Sequence, residues 1–216
     1  MKRWLLVALA LMAAVGFIAL GVWQVERRVW KLDLIARVEA GLKTAPATDW
    51  QKFAEYRRVR LTGTLLCDRE TLVKAVTERG EGYWVMTPLR TGQDLVLINR
   101  GFVPSASAAR WCGLEASVTG LQRASEPRGG FLRSNDAAAE RWYSRDVDAI
   151  AATRGLGKVA PFFVDADATP NPGGSPVGGL TVIAFANNHL VYALTWFALA
   201  ALSLSAAAMI LRRTRT

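Results

Sequence analysis

Two long apolar runs without a single charge lie near the two ends of the chain, and they constrain its fold more than any other feature. The first, residues 5–22, reads LLVALALMAAVGFIALGV, and the second, residues 190–211, reads LVYALTWFALAALSLSAAAMIL. As α-helices rising about 1.5 Å per residue they would be about 27 and 33 Å long, matching a hydrocarbon core of about 30 Å. A soluble protein of 216 residues would seldom place two such runs at its ends. The sequence therefore predicts a membrane protein: two terminal transmembrane α-helices, over 5–23 and 190–211, flanking an extramembrane domain over 24–186. Residues 212–216 form a short basic tail.

The first run could also be read as a cleaved secretory signal, because Lys2 and Arg3 supply a positive start. The run is long for a signal's apolar core, however, and no convincing small-x-small cleavage site follows it. It ends in Gly21, Trp23 and Gln24, and tryptophan prefers the membrane interface. An uncleaved anchor is the better reading. No amphipathic, serine-rich transit peptide precedes it, which favours a bacterial inner membrane over an organelle.

Charge then orients the chain. Lys2, Arg3, Arg212, Arg213 and Arg215 lie in the two tails, which hold no acid, while the rest of the chain has 22 Lys and Arg against 18 Asp and Glu. Long connecting domains escape the positive-inside rule, so the short tails decide. Both termini are expected in the cytoplasm and the domain in the periplasm. Arg27, Arg28 and Lys31 stand against export, partly offset by Glu26. The same distribution argues against a nucleic-acid partner. The pI near 10.1 comes from two membrane tails and a diffuse domain, with no RNP-like, zinc-finger or helix-turn-helix spacing. The lipid bilayer explains the charge better.

Between the runs the apolar period changes. A helical stripe through Val29, Trp30, Leu32, Leu34 and Ala36 carries the first helix on to Gly41. Thr48-Asp49-Trp50-Gln51 has capping-box spacing and predicts a short helix through Phe53 and Ala54. From Arg58 to Leu65 the period is two, as on a half-buried strand, and further strands are expected over 71–76, 83–89, 95–98, 117–122, 161–165 and 180–186. Asp146 caps a helix running to Arg154 and stopped by Gly155. The segment from Thr169 to Pro176 is a loop by composition. The domain is expected to be β-rich α+β.

Catalytic signatures are sparse. There is one histidine, His189, and no G-x-S-x-G, P-loop or G-x-G-x-x-G spacing, so the chain is not expected to be an enzyme. Asp165 and Asp167 read as a solvated strand end. Cys67 and Cys112, 45 residues apart, read either as ordinary thiols or as one structural bridge. His189, Tyr192 and Trp196 fall at i, i+3 and i+7, on one helical face. They can be an interfacial anchor, with the aromatics in the belt at headgroup level. They can equally form a haem site, with His189 as axial iron ligand and aromatic rings against the macrocycle. Its second ring nitrogen would then need a partner, for which Asn187 and Asn188 are adjacent candidates. Trp23 and Gln24 should lie at the same membrane depth and could share the pocket.

At these motifs the chain resembles the Surfeit-locus-one family of cytochrome c oxidase assembly factors. The matching pieces are Gly21-Val-Trp23-Gln24-Val-Glu-Arg27 with Trp30-Lys31, Tyr56 to Thr64, Gly82 to Leu89, Val96 to Pro104, and Asn187 to Phe197. Asn135 and Trp142 to Asp146 match more weakly, and Ser105 to Gly113 carries no matching motif. The resemblance implies a non-enzymatic role in building haem-copper oxidase. It implies haem a as a transiently bound cofactor, delivered to or inserted into the large catalytic subunit, with haem a synthase as a further candidate partner. The family's histidine maps onto His189, which becomes the metal ligand, with Tyr192, Trp196, Trp23 and Gln24 lining the cofactor site. The alternative within the same family is a scaffold that steadies the apo-subunit without haem.

Reporter fusions at Met1, Thr119 and Thr216 test the topology. Cytoplasmic signal at both ends and exported signal at position 119 are expected; a cytoplasmic signal from position 119 reverses the orientation.

Overall fold

The computed structural model describes residues 2–109, 112, 115–130, 132–181 and 187–212. The chain divides into two compact units, Met1–Glu39 with Ala184–Thr216, and Ala40–Ile183. Two helices make the first: α1 (Lys2–Lys43) and α3 (His189–Arg212). Both are long and apolar enough to cross a membrane. α1 runs on past its apolar stretch, as the stripe to Gly41 predicts, and the Thr44 hydroxyl donates to the Gly41 carbonyl at 2.6 Å where it ends.

The second unit is built on β1 (Arg58–Leu65), β2 (Thr71–Thr77), β3 (Gly80–Thr91), β4 (Asp94–Val103), β5 (Glu115–Ala124) and β6 (Phe162–Ala166), with α2 (Val147–Thr153) between the last two strands. The strands run in the order β1-β5-β6-β4-β3-β2. β4 and β6 are parallel and the other pairs antiparallel. β3 divides its outer edge. Its first half pairs with β2, and its second half pairs with β1 through Thr64 opposite Arg90 and Leu65 opposite Leu89. That second pairing closes β1, β5, β6, β4 and β3 into a small barrel. Gly63 stands at the seam, where an added Cβ would lie 2.0 Å from the Arg90 carbonyl oxygen. The motif needs glycine there because β1 crosses β3 at backbone contact.

Burial on both faces explains the long apolar strands. Val59, Leu61, Leu89, Val96, Ile98, Phe162 and Val164 fill the barrel, together with Trp50. Val73, Met86, Leu97 and Phe163 point the other way, against Trp142 and the Val147, Ile150 and Ala151 face of α2. Alternate residues of β4 and β6 therefore serve two cores, and neither strand shows a polar face. α2 starts as expected, with the Asp146 carboxylate accepting from the Ala149 N–H at 3.2 Å. Cys67 and Cys112 form a disulfide with Cα atoms 6.1 Å apart.

Two expectations need correction. The capping-box segment forms turns, not a helix. Its backbone groups are taken by side chains from elsewhere: the buried Gln122 amide donates to the Trp50 carbonyl at 2.6 Å and accepts from the Ala54 N–H at 3.1 Å. Arg57 donates to the Asp49 and Lys52 carbonyls at 3.1 and 2.8 Å and pairs with the Asp49 carboxylate. Tertiary partners outbid the local cap. The strand expected over 180–186 falls mostly on residues outside those described.

Asp165 is the other correction. It is not a solvated strand end: its side chain is 1% exposed. β6 lies between β4 and β5, and from there Asp165 accepts from Asn99 at 2.8 Å, Arg123 at 3.1 Å and Arg145 at 3.0 Å. Arg123 continues to Glu55 at 2.9 Å, and Arg145 pairs with Glu126. Burial pushes the Glu126 carboxyl up, but the hydrogen bond and charge of Arg145, with Arg123 behind it, outweigh burial and hold it below the usual range. Desolvation likewise works against the Arg145 charge, and Glu126 and Asp165 overcome it, so its pKa is raised.

Removing the centre of this network should cost as much as a large core substitution, because two largely covered guanidinium groups lose their shared carboxylate. Asp165→Ala is expected to destabilise the domain by about 3–5 kcal/mol in denaturant melts of the full chain. A loss under about 1 kcal/mol would show the arginines to be adequately satisfied without it.

Candidate functional site

The first unit is an antiparallel helix pair. On α1 the covered positions include Val7, Ala10, Ala14, Phe17, Gly21 and Gln24, and on α3 His189, Ala193, Trp196, Ala200, Ser203 and Ala207. Both series step alternately by three and four residues, the spacing of a left-handed two-helix seam. Its most buried members, Ala14, Ala193, Ala200 and Ala207, are small. Phe17 stacks on Trp196 with ring centroids 5.7 Å apart and planes 21° apart. Gly21 lies under Phe197, where an added Cβ would stand 2.5 Å from the ring.

A polar cross-pair closes one end of the seam. His189 Nδ1 lies 2.7 Å from the Gln24 side-chain oxygen. An amide oxygen accepts and cannot donate, so Nδ1 carries the hydrogen. In the neutral ring, Nε2 is then left with its lone pair. Both residues sit where their helices leave the apolar run, and both are half-covered. The sequence thus placed Gln24 at the right depth but missed its role. The ring's partner comes from the opposite helix and not from Asn187 or Asn188. The Asn188 backbone carbonyl accepts from the Tyr192 N–H at 3.2 Å, opening α3. The Asn187 side-chain oxygen is buried with no hydrogen-bond partner among the described residues.

The remaining expected site residues separate by position. Trp196 lies two turns along α3 from His189, about 10 Å along the axis, and is held in the seam by Phe17. Trp23 and Tyr192 stay near the histidine in sequence but face outward, 50% and 54% exposed. So the helices bring His189 and Gln24 together, leave Trp23 and Tyr192 on the outside at that end, and use Trp196 for packing. The sequence signal for this division is the heptad, which assigns positions 17, 24, 189 and 196 to the seam and positions 23 and 192 to its flanks. Among the described residues, no cluster of three or more His, Cys, Asp or Glu side chains could hold a bare metal ion.

Two membrane-length helices flanking, along the chain, a β-rich domain with a small closed barrel define the class of protein. The SURF1 family matches residues 11–201, and the chain belongs to that family. It is 38% identical to a SURF1-like protein of Monosiga brevicollis, over 86% of this chain and 80% of that protein. Surfeit locus protein 1 of Gallus gallus is 33% identical, over 92% of this chain and 72% of its own length. The Homo sapiens protein of the same name is also 33% identical, over 88% of this chain and 72% of its own length.

With a single histidine, nitrogen-15 histidine labelling of the full chain in detergent reads the tautomer without assignment. Nδ1 is expected as the protonated nitrogen and Nε2 as the bare one. Gln24→Ala removes a bond of about 0.5–1.5 kcal/mol and should shift the tautomer ratio about two- to tenfold toward protonated Nε2. A wild-type ring already protonated at Nε2 would contradict the geometry.

Proposed function

We propose that this chain is a non-enzymatic assembly factor for haem-copper cytochrome c oxidase, holding haem a through His189 before its delivery to the large catalytic subunit. The observation that carries the reading is the Gln24–His189 bond of 2.7 Å, which commits Nδ1 and leaves Nε2 as a donor. A bare metal ion needs three or four protein ligands, whereas a haem brings four nitrogens of its own and asks the protein for an axial one. The donor set around His189, one imidazole with half-exposed Trp23 and Tyr192 at the same end of the helices, fits such a group.

When bound, haem a would supply the iron that His189 holds. The chain's own residues do the rest. His189 offers Nε2, Gln24 fixes the ring's tautomer and orientation, and the outward rings of Trp23 and Tyr192 offer apolar contact to a flat macrocycle. Phe17 and Trp196 stiffen the seam two turns away, so the imidazole is carried on a firm helix pair. In this reading both apolar helices span a bacterial inner membrane, the basic tails are cytoplasmic and the barrel is periplasmic, with haem a synthase as a second partner.

The test is the absorption spectrum of the full chain purified from cells that make haem a. The wild type should carry low-spin haem, and His189→Ala should lose it while remaining inserted and folded. Trp23→Ala and Tyr192→Ala should lower retention less, because packing contributes less than the iron bond. An unchanged Soret band in the His189 variant would reduce that residue to an interface anchor. A colourless wild type that still captures the oxidase subunit would favour the scaffold.

A further inference from the structure

The barrel unit carries a feature that haem handling does not use. A cavity of about 720 Å³ opens beside β2, with Lys74, Val76, Glu81, Tyr83, Arg133 and Tyr143 in its wall. Arg57, Arg58, Arg100, Arg123, Arg145 and Arg154 of this unit all have carboxylate partners. Lys74 and Arg133 have none among the described residues, which they share with Arg60, Arg79, Arg90, Arg128 and Lys158, but they alone of these stand in the cavity wall. Each instead lies over a tyrosine of the same wall: Lys74 is 5.6 Å from the Tyr83 ring centroid, and Arg133 is 5.5 Å from that of Tyr143. An aromatic face steadies a cation but leaves its charge unneutralised. Glu81 is the one acid in the wall, and it pairs with neither cation.

Backbone and apolar groups beside the cavity complete the surface. β2 is the last strand in the sheet order. Trp142 covers its outer edge at Val73, taking the Lys74 N–H at 2.8 Å, but from Ala75 to Thr77 nothing pairs with that edge among the described residues. Val76, on the same face as Lys74, is 80% exposed. Leu132 is 90% exposed and held at φ 56°, inside a turn closed by the Arg133 N–H donating to the Gly130 carbonyl at 3.1 Å. A leucine in the left-handed region costs about 1–2 kcal/mol, and no burial of its side chain offsets that cost.

We propose that the β2 edge and this cavity form a docking site for an extended, acidic segment of a partner protein. The segment's main chain pairs with β2 from Ala75 to Thr77 as an added strand. Its acidic side chains reach Lys74 and Arg133, and an apolar side chain covers Val76 and Leu132. Charge complementarity selects the occupant: two unpaired cations against one acid favour carboxylates, and the open strand edge favours a peptide over a lipid headgroup. The site is independent of haem and would stand if His189 bound none.

The probe is a fluorescein-labelled, end-blocked dodecapeptide alternating glutamate with valine, titrated by anisotropy against the full chain in neutral-lipid nanodiscs. Binding is expected, at least tenfold tighter than for the same peptide with glutamine in place of glutamate. K74E/R133E should weaken it at least tenfold and create affinity for a lysine–valine peptide. Should that pair of reversals unfold the domain, K74Q/R133Q should still weaken binding several-fold, and Val76→Asp should do so independently. No binding to the wild type overturns the proposal, as does binding indifferent to both cation variants. Displacement of the peptide by adding phosphatidylglycerol to the nanodiscs also overturns it, in favour of a membrane surface.

Discussion

The barrel depends on a charge it has removed from water. Asp165 sits on a strand between two others, 1% exposed, and a lone carboxylate there would cost several kcal/mol in desolvation. It is tolerable because Asn99 arrives from β4, Arg123 from β5 and Arg145 from the approach to α2, each within 3.1 Å. These are directional contacts, so they fix the relative placement of three strands and a loop more tightly than apolar packing alone. Arg145 also lies 4.6 Å over the Phe163 ring, which ties the network to the outer core beneath α2.

The helix pair shows the same economy with a different polar group. Most of its seam is alanine, glycine and aromatic carbon, which any close-packed pair of apolar helices could supply. His189 and Gln24 are the exception, and they occupy the seam's polar end. A polar pair within an apolar contact sets register, because sliding one helix by a turn would leave both partners unsatisfied. One hydrogen bond therefore does two jobs: it aligns the helices, and it fixes which imidazole nitrogen keeps its lone pair.

Much of this was legible in the residues, and the exceptions have physical reasons. The long helices, the strands and the Asp146 cap follow from apolar period and capping chemistry, which are local. The short helix after Thr48 fails because Gln122, more than sixty residues away, claims the Trp50 and Ala54 backbone groups. Asp165 was misread because a carboxylate followed by a Pro-Gly loop looks solvated in one dimension; its burial depends on β6 running parallel beside β4, which no local pattern announces. At the site, the depth of Gln24 and His189 could be read from where the apolar runs stop. That Tyr192 turns outward could not be read from an i, i+3, i+7 face, because such a face is wider than a two-helix seam. The strict three-four spacing of small residues on both helices is the narrower signal.

Among the described residues of the barrel unit, eight arginines pair with carboxylates, and several of those pairs tie the barrel, its loops and α2 together. An exposed cation is solvated at little cost whether or not it is paired, so what matters is where such cations gather. Lys74 and Arg133 are set apart from the other unpaired cations by their place, on one wall of one cavity, beside an open strand edge and two exposed apolar side chains. Stability alone gives no reason to cluster them there, with Leu132 in a strained conformation next to them. Backbone strain of this kind persists where the surrounding fold enforces it, and the turn closed at Arg133 does so. The same turn presents the cation and the leucine together, which is the arrangement an acidic, partly apolar strand would require.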